Sequence, residues 1–119
     1  MASESTDVRQ VRLARNQSLF RTVNERVEKV ADQFVVSAPL GFICECAIPD
    51  CGKTIELTRD EYEEIRLDGT HFFVLPDHVF PEVEIVVDDR ERYVIVAKVG
   101  VGGRVAAATD PRRRPTTPG

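Results

Sequence analysis

Residues 42 to 53 read Phe42-Ile43-Cys44-Glu45-Cys46-Ala47-Ile48-Pro49-Asp50-Cys51-Gly52-Lys53, and they hold all three cysteines of the chain. The first half alternates. Phe42, Cys44 and Cys46 share one face of an extended segment, and Ile43 and Glu45 share the other. Ile48-Pro49-Asp50-Cys51-Gly52 is a turn, and Lys53-Thr54-Ile55-Glu56-Leu57 alternates polar and apolar. The stretch predicts two antiparallel strands with the cysteines gathered at the turn end.

Downstream, Thr58-Arg59-Asp60-Glu61 is a capping box, with Leu57 and Tyr62 as its hydrophobic staple. A short helix follows, predicted over 59–68 and ending at Asp68-Gly69, where glycine tolerates a left-handed exit. His71-Phe72-Phe73-Val74-Leu75 is a compact apolar strand, and the loop Pro76-Asp77-His78-Val79-Phe80-Pro81 is bracketed by prolines. Val83–Val87 and Arg92–Val99 then look like a hairpin, although Pro81-Glu82 would equally suit the start of a helix over 82–87. Beyond Val101 the chain is Gly, Ala, Pro, Thr and Arg, which predicts a tail that buries too little to fold.

Upstream, Phe20, Val23, Val27, Val30 and Phe34 recur at steps of 3, 4, 3 and 4, the stripe of a long helix that also carries Leu13 and ends near Phe34. This stripe is expected to pack on the domain's own sheet. It is too short for a stable isolated coiled coil, which leaves a monomer or a weak homodimer. Arg9, Arg12 and Arg15 form a basic row. With no aromatic residues between them they read as a solvated face rather than a nucleic-acid arm.

The fold class is therefore α+β, with a long N-terminal helix and one short helix packed on a small antiparallel sheet. The expected organisation is a flexible or helical arm over 1–14, a single domain over 15–101 with a candidate metal site, and a disordered Pro/Arg-rich tail over 102–119. A chain of 119 residues is small enough for one metal to contribute noticeably to stability.

The net charge of -4 is unevenly distributed. Residues 35–102 carry six basic and 14 acidic groups, so the middle of the chain repels phosphate backbones and is a poor nucleic-acid binder. No apolar run suits a membrane span, and the N-terminus lacks a signal-peptide stretch. The expectation is a cytoplasmic protein whose thiols stay reduced, and an odd cysteine count argues against a disulfide framework.

Three thiols within eight residues admit three chemistries. They could be ligands of a structural metal ion, preferably zinc; a thiol-redox centre; or buried small residues without chemistry. Glycine in Cys51-Gly52-Lys53 has the form of a zinc-knuckle exit, letting amide N–H groups point at sulfur. The fourth ligand would be one of the two histidines, His71 or His78, or failing these Asp50 or water. Redox pairs usually present C-x-x-C at a helix start, which this C-x-C-x4-C segment does not. Hydrolytic catalysis would need an oxyanion hole and an orienting group that nothing in the sequence supplies. The acidic run Asp60-Glu61-Glu63-Glu64 reads as a solvated helix start.

Phe42-Ile-Cys-Glu-Cys46…Cys51, Leu57-Thr-Arg-Asp-Glu-Tyr-Glu-Glu-Ile-Arg66 and Phe73-Val-Leu-Pro-Asp-His78 together resemble a group of small uncharacterised bacterial proteins. The likeness runs from about Arg15 to Lys98. Those proteins carry C-x-C-x4-C and a P-x-H, often Pro-Gly-His, which implies Cys44, Cys46, Cys51 and His78 as a ligand set for Zn2+. Residue context agrees with this choice of histidine. His71 shares a strand face with Phe73 and Leu75, whereas His78 lies in a loop restrained by Pro76 and Pro81. The resulting expectation is a non-catalytic zinc protein that binds another protein, and its competitor is a thiol redox enzyme or sensor.

Overall fold

The computed structural model describes residues 6–33 and 38–112. Helix α1 (Thr6–Gln33) is followed by strands β1 (Leu40–Ile43) and β2 (Thr54–Leu57), helix α2 (Arg59–Ile65) and strand β3 (His71–Val74). A single 3-10 turn (Pro76–His78) leads to β4 (Glu84–Asp89), β5 (Val94–Lys98) and helix α3 (Gly100–Ala108). The fold is α+β, as the sequence predicts, but the strands form two sheets rather than one. β1 pairs with β2, and a three-stranded sheet has the order β3-β5-β4, all antiparallel.

The two sheets meet at the cysteine segment. The Cys44 amide donates to Lys53 (2.8 Å), prolonging the β1–β2 ladder, whereas the Glu45 amide donates to Phe73 in β3 (3.0 Å). The chain therefore changes sheets between Cys44 and Glu45. An aromatic core closes around this corner. Phe42 and Tyr62 stack at 4.5 Å between centroids, and Phe73 meets both edge-on at 6.3 and 6.1 Å.

The capping box forms as predicted: the Glu61 amide donates to Thr58 Oγ1 (3.1 Å) and the Thr58 amide to Glu61 Oε1 (2.8 Å). The helix after it is shorter than predicted, with Arg66 as its C-cap. Gly69 is not left-handed. A Cβ there would stand 2.7 Å from an Asp110 carboxylate oxygen, so a larger residue would displace that side chain from its pairing with Arg66. Residues 84–89 are strand and not helix, with a register shift between Val86 and Asp88.

Two expectations fail. The segment expected to begin a disordered tail at 102 instead forms most of α3, which packs on α1 and buries Gly102 and Ala106. Glycine-rich sequence lowers intrinsic helix propensity, but here it permits close approach to β5: a Cβ on Gly102 would lie 3.2 Å from Lys98 Cε, and one on Gly103 3.0 Å from the Lys98 carbonyl oxygen. Residues 113–119 of the expected tail lie outside the described residues.

The second failure is the orientation of α1. Its buried face runs through Leu13, Ala14, Gln17, Ser18, Arg21, Asn24, Glu28 and Ala31, and is largely polar. Most of the predicted stripe is turned outward: Val23 and Val30 are exposed and Phe20 is half-buried, whereas Val27 packs against the core cluster as expected. Phe34 lies outside the described residues. The cause is hydrogen bonding. Asn24 accepts from the Ile43 amide (2.7 Å) and donates to its carbonyl (2.8 Å), completing the edge of β1. Arg21 donates to the carbonyls of Gly69 and His71 and stacks 3.6 Å above the Phe72 ring. Buried carbonyls and amides demand partners more strongly than valines demand burial.

Candidate metal centre

Four side chains converge where the sheets meet: Cys44 and Cys46 from the sheet-switching segment, Cys51 from the turn before β2, and His78 from the 3-10 turn after β3. Their donor atoms all lie within 4.8 Å of one another. The tight turn rests on a Cys51 amide bond to Ile48 (3.2 Å), and Gly52 takes φ +59°, a left-handed conformation at the knuckle. On the histidine side, Pro76 sets the first residue of the turn and the His78 amide donates to Leu75 (2.9 Å).

The imidazole presents Nδ1 to the sulfurs, 3.6 Å from Cys44 and 3.5 Å from Cys51. A tetrahedral ion with Zn–S of about 2.3 Å and Zn–N of about 2.0–2.1 Å would set S···N at about 3.5–3.6 Å. Cys44, Cys46, Cys51 and His78 could therefore hold a metal ion, with the widest donor separations, up to 4.8 Å, drawing in toward the roughly 3.8 Å of tetrahedral thiolates. His78 Nε2 lies 3.8 Å from the exposed Asp77 carboxylate, beyond hydrogen-bond distance.

Each sulfur also faces a main-chain amide. Leu75 N–H donates to Cys44 Sγ at 3.3 Å, and the amides of Ile48 and Lys53 hydrogen-bond Cys46 and Cys51. Sequence reasoning anticipated the knuckle at Gly52-Lys53 but not the other two donors, because a main-chain amide has no residue signature. Without a cation the three thiols share protons unevenly. The Cys44 hydrogen bond brings the Cys46 thiol down to about 5, helped by Ile48, Cys51 and His78 against burial. That same bond, together with burial, pushes Cys44 up, and burial raises Cys51. Of the three thiols Cys46 ionises most readily, and a bound cation would favour the thiolate form of all three.

His71 is not part of the cluster. It opens β3 opposite Ala97 and lies 3.5 Å from Asp68. Asp50 is exposed and does not join the four. Arg9, first in the predicted solvated row, is engaged by Glu82 at 2.7 and 3.0 Å. Beneath the cluster Glu45 is wholly buried, hydrogen-bonded by Asn24 (2.9 Å), and burial raises its carboxyl to about 7. Among the described residues no helix is long and apolar enough to cross a membrane. No protein-family model, curated protein or solved structure matches the chain at a significant level, so the resemblance drawn above stands on its motif residues alone.

Proposed function

We propose that this chain is a small cytoplasmic zinc protein whose metal is structural, held by Cys44, Cys46, Cys51 and His78, and that the domain acts by binding another protein rather than by catalysis. The observation that carries the reading is the S···N spacing of 3.5 and 3.6 Å, which fits tetrahedral zinc. Three thiolates and an imidazole are soft-to-borderline donors, suited to zinc and unsuited to calcium or magnesium. Four protein ligands leave no open position for substrate or water, which is the character of a structural site.

The competing redox reading draws on the lowered Cys46 thiol. That sulfur is a poor attacking group here, since Cys44 and Cys46 are both 0% exposed and a reactive thiolate must meet its electrophile. Only Cys51 is partly accessible.

Metal analysis of untagged protein, purified without chelator, tests the proposal. One zinc per chain is expected, lost in His78→Ala and retained in His71→Ala. Metal-free protein with a fast-reacting thiol would favour the redox alternative. Zinc retained by both histidine variants would make the fourth ligand an acid such as Asp50 or a water, and catalysis would return as an option.

A further inference from the structure

Helix α1 is amphipathic in an unusual sense, because its polar side faces the protein core. The outward side carries Leu19 at 62% exposure, Val23 at 36% and Val30 at 54%, flanked by the half-buried Phe20 and Val27. These positions follow i, i+1, i+4, i+8 and i+11, one continuous helical stripe. From Leu19 to Val30 it runs about 16 Å at about 1.5 Å per residue.

The charges of the helix are segregated about that stripe. Within 13–33 every carboxylate is drawn aside into an ion pair. Glu25 meets Arg66 and Arg112, Glu28 meets Arg112, and Asp32 meets Arg59. Arg15, Arg26 and Lys29 are exposed. Three exposed cations thus lie beside an apolar stripe in a chain of net charge -4, and the neighbouring carboxylates are engaged by arginines.

We propose that this face is a docking surface for an acidic amphipathic helix of a partner protein, whose apolar side covers Leu19, Val23 and Val30 while its carboxylates meet Arg15, Arg26 and Lys29. A second copy of the chain is the poorer occupant, since the same cations would then approach one another across the contact. The inference rests on the partner-binding reading above and names the partner's chemistry.

The full-length, zinc-loaded chain is titrated with two labelled synthetic helices of about six turns, both with a leucine stripe, one flanked by Glu and the other by Lys, and followed by anisotropy. The Glu peptide is expected to bind at least about tenfold more tightly than the Lys peptide, and to weaken as salt rises. Leu19→Asp and Val30→Asp should each weaken the Glu peptide by about tenfold or more. The double variant Arg15→Glu, Arg26→Glu should reverse the preference and bind the Lys peptide. All these positions are exposed, so zinc content and melting temperature should not change, which separates failure here from failure of the zinc reading. Equal binding of the two peptides would overturn the proposal. So would a tight dimer in sedimentation that Leu19→Asp dissociates, or capture by phosphatidylglycerol vesicles without peptide binding.

Discussion

Asn24 holds α1 to the sheet through both ends of one amide. Its oxygen takes the Ile43 N–H and its nitrogen donates to the Ile43 carbonyl and to Glu45 Oε2. Asn24→Leu would bury all three groups without partners, at about 1–3 kcal/mol for each unsatisfied group. Urea denaturation should show a loss of about 3 kcal/mol or more; a loss under about 1 kcal/mol would mean that the pairing is incidental. Glu28 offers a test by pH. Burial first, and then its hydrogen bond with Glu63, raise its carboxyl to about 7, while Arg112 holds Glu63 down to about 2. A carboxyl raised in the folded state binds its proton more tightly there than in the unfolded chain. Its stabilising contribution is therefore complete below about 4.5 and disappears as pH rises toward about 7. Between pH 5.5 and 7.5 wild type should lose stability relative to Glu28→Gln. The difference should stay below the one-proton ceiling of about 1.4 kcal/mol per pH unit, because the pair is partly screened by water. Parallel melting curves for the two proteins would remove Glu28 from this role.

At the scale of elements, α3 and the residues after it do more than glycine and alanine suggest. Ser18 and Thr109 share a 2.7 Å hydrogen bond, Asp110 pairs with the buried Arg66, and Arg112 reaches Glu63 at 2.7 Å and Glu28 at 3.0 Å. Removal of 100–119 would take the Asp110 carboxylate from the buried Arg66, leaving it Glu25 alone, and would take Arg112 from Glu28 and Glu63, so a clear fall in melting temperature is expected, against the dispensable tail that composition implies. Gly103→Ala probes the same element gently: its Cβ would stand 3.0 Å from the Lys98 carbonyl oxygen. Overpacking against backbone should cost about 1–3 kcal/mol despite the higher helix propensity of alanine, and a stabilised variant would refute the close packing. These cases mark what the sequence can reveal. The capping box at Thr58, the strands around the cysteines and the C-x-C-x4-C spacing are local, each decided within a few residues. His78 was legible because two prolines restrain its loop. The inward face of α1 was not, since its partners are main-chain groups at Ile43, Gly69 and His71, 19 to 50 residues away. Helix α3 was hidden for the same reason, its stability being tertiary rather than intrinsic.

For the whole molecule, the decisive arrangement is that the four candidate ligands straddle the junction of the two sheets. Cys44 and Cys51 belong to the β1–β2 side and its turn, Cys46 lies just past the crossing, and His78 follows β3 of the other sheet. A metal ion held by all four would tie the sheets together at the corner where the chain crosses, beside the Phe42–Tyr62–Phe73 cluster. That core is made by packing alone, so stripping the metal should loosen the corner without unfolding α1, β4 and β5. Ligand binding to the native state stabilises by RT ln(1 + [L]/Kd), and structural zinc binds far below working concentrations. Removing it with a strong chelator should therefore cost about 2 kcal/mol or more, a fall of about 8 °C or more for a domain of this size. Hydrogen exchange adds the location. Amides of 44–53 and 75–78, including the Leu75 N–H on Cys44 and the Cys51 N–H on Ile48, should lose protection first, while the β4–β5 ladder keeps it. Uniform loss across both sheets would mean that the metal nucleates the entire fold. No change at any amide, with zinc demonstrably removed, would mean that the four side chains meet for some purpose other than stability.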